Sequence, residues 1–483
     1  MRSVGSSGNG PLVPFLGVFL LIPGSRDPRT VMMVQPILMV LACVSIAGIT
    51  RRMAGPLAAA ATGCAFLAIP TASLATQSFW LGLGAATSMG LAMWALLSSE
   101  RCTNRRVYAY GAGIAAMALA RTMALGFVPG LVLAGVVMAG RDRRAWRGLL
   151  RAVALAVAIA APWYIVQRDA IFGYLFAYGY GPRAGLFGSG GPLDRLSFRF
   201  DRISGDIGLS LTATTLVIAA TAIPVLVWKW RRGDGVPEGT REFCAVLTTV
   251  AAGIGVLVST TNNGVWFELP LIVLLIAVAG ALASKALLPL RLALAAQLIV
   301  QAGLVLLTTW WLITPRLGIT AHYENGFAQY DVRYSQGRRD EQPAAARDWR
   351  RLSSDVERAM HRIDGGRGLG AVFTVSGNMQ LFNSNTLSLA GELRGWGPVI
   401  RIPDTTISRH RRDADLTPTT TGPDGRTVER VLVVALHDKI LFTPDAKVAS
   451  FVRQARDEGW RTARTFEMPT GGEVLILRHP DGQ

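Results

Sequence analysis

Apolar residues in this chain gather into blocks of about 20, the length an α-helix needs to cross a hydrocarbon core of about 30 Å. The blocks recur from residue 31 to residue 314, with short basic or Gly/Pro-containing joints between them. Inside a bilayer no water satisfies backbone N–H and C=O groups, so a chain patterned this way must fold as helices. Composition agrees. Charged residues make up 17% of the chain and hydrophobic ones 51%, whereas a soluble domain carries about 25% charged residues. The 52 glycines follow no period. A wholly soluble enzyme, a disordered chain and a fibrous repeat are therefore excluded.

The pattern predicts about ten spans, near residues 31–50, 54–74, 78–98, 107–122, 123–140, 147–167, 209–228, 242–260, 264–284 and 292–314. The 107–140 block is long enough for two short crossings or one long tilted helix, with Gly126, Pro129 and Gly130 as breakers inside it. Leu12 to Ile22 is a shorter apolar run, read as a truncated or interfacial helix. Basic residues cluster in the joints: Arg51 and Arg52; Arg101, Arg105 and Arg106; the group from Arg141 to Arg151; Lys229 to Arg241; Lys285 and Arg291. Threading ten spans puts every cluster on one face, which the positive-inside rule makes cytoplasmic. The other face receives residues 75–79, a long 168–208 loop, residues 259–264 and the C-terminal tail.

Charge divides the chain at the same place. Residues 1–316 hold 26 Lys and Arg against 11 Asp and Glu, a net of +15, so nearly all of the net +17 belongs to the apolar half. The basic residues form no stripe on a soluble face, so membrane orientation accounts for them and nucleic acid is not an expected partner. Cys43, Cys64, Cys102 and Cys244 show neither CxxC nor metal-ligand spacing. All five histidines fall in the tail, which excludes a His-based metal site within the membrane half.

The tail, 317–483, reads as a separate extracytoplasmic α/β domain. Ala344–Ile363 is a charged amphipathic helix, and Leu369–Val375 a short strand. Arg430–Leu436 is a buried strand by its β-branched run. Thr443–Gly459 is a helix opened by Thr443-Pro444-Asp445 and stopped by glycine, and Arg461–Met468 and Glu473–Arg478 are closing strands. Residues 403–428 are expected to be a long loop. Gly365-Gly366-Arg367-Gly368 precedes a strand, the wrong order for a dinucleotide fingerprint.

Ionisable residues near the spans are the informative ones, because burying a charge in lipid is costly. Arg121 lies inside the 107–140 block. It snorkels, turns between two half-spans, pairs with a carboxylate, or binds an anion, and phosphate suits a guanidinium best through bidentate hydrogen bonds. Glu268, in the stretch NNGVWFELP, is a candidate general base, cation ligand or partner for Arg121, or an idle interfacial carboxylate. Arg168 and Asp169 sit at the outer surface. The 168–208 loop carries Tyr174, Tyr178 and Tyr180 among glycines and then a run of mixed charges. Its tyrosines suit either an interfacial belt or stacking on sugars, and its charges suit a lid or headgroup platform.

The order of short motifs resembles the GT-C superfamily of polyprenyl-phosphate-dependent glycosyltransferases, above all its protein mannosyltransferase and aminoarabinose transferase group. Gly10-Pro11-Leu12-Val13-Pro14 resembles the start of that family's second membrane helix. Ile69-Pro70 with Ala75-Thr76-Gln77 resembles its outer loop after a proline. Arg106-Val107-Tyr108 through Ala118-Leu119-Ala120-Arg121-Thr122 resembles its G-x-x-x-G-L-A-x-L-T-K stretch. Ala161-Pro162-Trp163-Tyr164 resembles its P-W-Y exit into a long outer loop, and Asn263 through Pro270 its outer-loop-to-helix segment. The resemblance covers about residues 10–315.

The resemblance implies a polytopic helical bundle in the plasma membrane with its active site at the outer face. The reaction implied is inverting transfer of a sugar from a polyprenyl-phosphate carrier to a glycan, lipid or protein acceptor. Arg121 stands where the family has a lysine and would hold the carrier phosphate. Arg168, Tyr178, Tyr180, Arg183, Gln77 and Asn263 fall at the outer face as substrate-binding candidates, and a divalent cation is used by some related enzymes. The family's base is an acid in the first outer loop, which would precede residue 10. Its second outer loop carries an acid after Thr-Gln, where this chain has Ser78 and Phe79. Three readings stay open: the acid lies upstream, Glu268 or Asp169 substitutes for it, or the chain keeps the fold without the chemistry. A lipid flippase is a further alternative, against which stand the absence of an internal repeat and the lopsided 168–208 loop.

Overall fold

The computed structural model divides the chain into two compact units, residues 1–314 and 315–483. It describes mainly residues 33–69, 81–168, 191–207, 209–231, 239–260 and 267–309 of the first unit. In the second it describes 320–325, 328–333, 337–365, 370–376, 400–403, 416–421, 426–436, 445–469 and 471–482, with isolated positions elsewhere.

The first unit is a bundle of helices laid down by the apolar blocks: α1 (Val34–Ala54), α2 (Pro56–Ala65), α3 (Leu81–Leu97), α4 (Arg106–Ala120), α5 (Val128–Ala139), α6 (Arg143–Val166), α7 (Pro192–Ile207), α8 (Leu209–Arg231), α9 (Thr240–Ser259), α10 (Leu269–Ala283) and α11 (Leu288–Thr309). Among the described residues, four stretches are long and apolar enough to cross a bilayer by themselves: α1, α6, α9 and the continuous segment Thr122–Ala139. Four further apolar helices are shorter. The even blocks of 20 expected from the sequence are thus cut by local breaks. Gly55, at φ 90°, separates α1 from α2. In the 107–140 block the break falls at Arg121, ahead of the expected breakers. Pro129 instead sits in the first turn of α5, where its missing N–H costs nothing.

Packing follows the rule for helices in lipid, where small residues let backbones approach. α4 carries glycine on two faces. A Cβ on Gly113 would lie 2.8 Å from the α carbon of Ala92 on α3, and one on Gly111 would strike the Ala152 carbonyl of α6. Buried hydroxyls add cross-links: Thr87 donates to the Leu38 carbonyl at 2.8 Å, and Thr249 to the Gly130 carbonyl at 3.1 Å. α6 opens on an N-cap aspartate, with Asp142 accepting from the Arg144 N–H at 2.8 Å.

The second unit holds a β1–β2 hairpin (Thr320–Asn325 and Ala328–Arg333), a long helix α12 (Gly337–Ile363) and a six-stranded mixed sheet. Its strands are β3 (Ala371–Ser376), β4 (Ile400–Pro403), β5 (Thr419–Thr421), β6 (Thr427–Leu436), β7 (Arg461–Glu467) and β8 (Glu473–Arg478), with helix α13 (Asp445–Asp457) between β6 and β7. The order is β4-β3-β6-β8-β7, parallel on the β4-β3-β6 side and antiparallel beyond, with β5 against the start of β6. Period-two alternation feeds two cores. Val431, Val433 and Ala435 of β6 pack with Trp349, Val356 and Met360 of α12. Leu432 and Val434 pack with Val448, Phe451 and Val452 of α13. Gly459, at φ 94°, ends α13 as expected of a glycine stop. The stretch expected to be a long loop from 403 to 428 carries β5 and the first residues of β6; Thr419–Thr421 form a strand because they pair with Thr427–Glu429. Thr443 and Pro444 lie outside the described residues.

Candidate functional site

Arg121 leaves the helical region at φ −152° and ψ 130°, and a 3-10 turn, Thr122–Phe127, follows. The Tyr110 hydroxyl donates to the Leu131 carbonyl at 2.6 Å. These two residues stand almost equally far before and after Arg121, so the chain reverses there. A turn between two half-spans, one of the readings the sequence left open, is present at Arg121. The P-W-Y motif locks the same corner: Tyr164 donates to the Ala118 carbonyl at 2.8 Å.

The Arg121 guanidinium lies over the Phe267 ring, 4.2 Å from its centroid, a cation–π contact. It lines a cavity of about 230 Å³ whose other walls include Leu125, Phe127, Phe176, Val256 and Phe267. The cavity thus offers one permanent positive charge in a largely apolar surround, a setting that suits an anion carried on a hydrocarbon chain.

Glu268 directly precedes α10 and is fully buried. Its Oε1 is paired with Nη1 of Arg199 on α7, which is as deeply buried. Arg121 had been one expected partner for this carboxylate; the structure gives it Arg199 and stacks Arg121 on the neighbouring Phe267. Glu268 Oε2 has no hydrogen-bond partner among the described residues.

Arg199 belongs to a helix where the sequence reading expected a loop. Along α7, Arg195, Arg199, Arg202 and Asp206 recur at helical spacing and turn inward. Arg195 donates to the Val258 and Ser259 carbonyls at 3.0 and 3.2 Å, satisfying the C-terminal end of α9. Arg202 lies 3.9 Å from Asp206, and both are buried. Leu193, Leu196 and Phe200 are exposed on the same helix, beside Asp194 and Asp201. A soluble helix buries such apolar residues and exposes such arginines. The i, i+4, i+7, i+11 spacing of these charges was the available signal, and a reading that assigns charge to solvent passes over it.

Of the remaining candidates, Arg168 lies exposed just past the end of α6. Asp169, Gln77, Tyr178, Tyr180, Arg183 and Asn263 lie outside the described residues. Among the described residues, no three His, Cys, Asp or Glu side chains gather as metal ligands would.

Several long apolar helices mark this chain as a membrane protein, and its fold is similar to that of a solved ArnT. ArnT from Cupriavidus metallidurans bound to undecaprenyl phosphate matches 98% of this chain and 88% of its own, with a TM-score of 0.51 and 14% identity. The same enzyme in the apo state matches over the same shares, with a TM-score of 0.52 and 16% identity. No protein-family model and no curated protein matches the sequence.

Proposed function

We propose that this chain is a multi-pass plasma-membrane glycosyltransferase that moves a sugar from a polyprenyl-phosphate carrier to an extracytoplasmic acceptor with inversion. The observation that carries the reading is Arg121, a fixed guanidinium on the wall of an apolar cavity, in a fold shared with an ArnT solved with undecaprenyl phosphate. In this reading the chain crosses ten times, and the tail, 317–483, lies outside with Arg168, Asp169, Tyr178, Tyr180, Arg183, Gln77 and Asn263 at the outer face.

The chemistry assigned to these residues is simple. An acceptor oxygen attacks the anomeric carbon, the bond to the carrier phosphate breaks, and a carboxylate takes the acceptor proton. Arg121 stabilises the charge that grows on the departing phosphate. Glu268 is the proposed base through Oε2, and Asp169 is the alternative. The test is transfer from a polyprenyl-phosphate sugar in proteoliposomes. Arg121→Gln lowers turnover by about 100-fold or more, the loss typical when one group stabilising a developing anion is removed. Full activity in that variant rejects the phosphate assignment.

The buried pairing of Glu268 with Arg199 favours a second reading, a non-catalytic membrane protein of the same fold that binds the carrier. It predicts carrier retention without sugar release by the wild type. Movement of a labelled carrier between leaflets without turnover identifies a flippase instead.

A further inference from the structure

A second cavity, of about 1170 Å³, lies at the other end of the bundle from Arg121. It runs between α1, α2, α3 and α4. Arg51 and Arg52 at the end of α1 and Arg106 at the start of α4 stand at its mouth, all exposed. Among the described residues, no carboxylate lines it. Arg106 Nη1 donates to the Ser98 carbonyl at 3.4 Å, which holds that side chain at the rim.

Beyond the mouth the walls turn small and apolar, with Ala47, Gly48, Ala112, Gly113 and Ala116 among them, and Trp94 lies against Gly48, where a Cβ would strike the indole. Beyond the arginines its apolar walls are mostly alanine and glycine, with Leu91 and Trp94 beside them. From Arg106 to Ala116 along α4 is about 15 Å at 1.5 Å per residue, close to half of a 30 Å hydrocarbon core. A charged mouth at the membrane surface and an apolar trough one leaflet deep match the two parts of a single lipid.

We propose that this cavity is a binding site for an anionic glycerophospholipid of the leaflet on the arginine side. Its phosphate sits among Arg51, Arg52 and Arg106, and an acyl chain lies along the alanine and glycine trough. Arginines suit phosphate by their forked donors, and basic pockets between membrane helices recognise anionic headgroups. The trough commits the occupant to a lipid, since a free phosphate would leave it unfilled. The site is distinct from the Arg121 cavity, which shares no lining residue with it among the described residues.

The experiment is lipid retention by the purified full-length chain in detergent, read by native mass spectrometry. Phosphatidylglycerol and phosphatidylcholine with the same acyl chains are titrated separately. The wild type is expected to retain phosphatidylglycerol selectively, and inorganic phosphate in excess does not displace it. The triple variant Arg51→Gln, Arg52→Gln, Arg106→Gln weakens retention on the order of 100-fold, from three charges each contributing about fivefold. The triple lysine variant keeps most of the binding and shows that the bundle survives substitution there. Ala112→Phe changes no charge and fills the trough, so it also lowers retention. Arg121→Gln leaves it unchanged, which keeps this outcome separate from any result on sugar transfer. Equal binding of phosphatidylcholine, undiminished binding in the glutamine variant, no effect of Ala112→Phe, or displacement by inorganic phosphate each overturns the proposal.

Discussion

Replacing Arg199 and Glu268 singly and together tests how α7 is held on the bundle. Their side chains are 1% and 0% exposed, so neither charge gains from water. Removing one partner from a buried pair strands the other and costs about 3–5 kcal/mol, whereas replacing both with apolar residues of similar volume is often close to neutral. Arg199→Met and Glu268→Leu are therefore each expected to destabilise strongly. The double variant is expected to be more stable than either single one, although it carries both changes. Thermal unfolding of the full chain in detergent, followed by tryptophan fluorescence, gives the order directly: wild type and double variant above, both singles below. The sign matters more than the size, because independent contributions would place the double below both singles. A double variant that unfolds at or below the less stable single refutes the buried pair as the link between α7 and α10. Transfer activity of the same double variant tests the base assignment. A folded chain that has lost transfer supports Glu268 as the base, and a folded chain that still transfers removes it from the chemistry.

Three further expectations concern other parts of the molecule. Gly113→Val forces a side chain against the backbone of α3 and is expected to cost about 1–3 kcal/mol, the usual range for overpacking, visible as a lower unfolding temperature; an unchanged temperature would show that α3 and α4 are not in close contact. Phe373→Ala empties a fully buried position in the core under α12 and is expected to cost about 3–5 kcal/mol, read as faster proteolysis of the tail within the intact chain. Cys102, in the joint between α3 and α4, is buried, and burial raises its thiol pKa above 9.0 against a smaller opposing effect of the Ser99 hydrogen bond. Less thiolate is then present at pH 8 than on a free cysteine, so alkylation by iodoacetamide, followed by mass spectrometry, should be slow and should quicken as pH rises. Labelling at the rate of a free cysteine would contradict that burial.

The parts of the fold legible in the sequence are those where one physical rule acts alone. Lipid demands helices and sets their length, so Val34–Ala54 and Thr240–Ser259 lie close to the blocks that announced them. In the tail, the run RVLVVAL feeds two cores by simple alternation, and β6 contains it. The short strand Thr419–Thr421 was illegible because its only support is a partner it meets after folding. The break at Arg121 was half legible: the glycines and proline signalled a break, but the turn formed at the charged residue, where a guanidinium escapes the helix core.

Helix α7 shows why the site was harder to read than the fold. Its mixed charges suggested a lid or headgroup platform on an outer loop. The structure keeps Asp194 and Asp201 exposed but turns the other charges inward, and each of those meets something that compensates it: Glu268 for Arg199, helix-end carbonyls for Arg195, Asp206 beside Arg202. Burial of a charge is governed by whether a partner exists, and the partner of Arg199 lies 69 residues away. No local window contains that information. What a local window does contain is the helical spacing of the charges, together with the apolar residues Leu193, Leu196 and Phe200 on another face. In a chain that otherwise spans lipid, that combination points to a helix whose exposed side meets an apolar surface and whose inward charges meet protein. Read that way, residues 192–207 become the element that ties the end of α9 to the start of α10. The nearness of that tie to Phe267, which Arg121 covers, makes the ion pair a structural support of the proposed phosphate site, whichever carboxylate takes the proton.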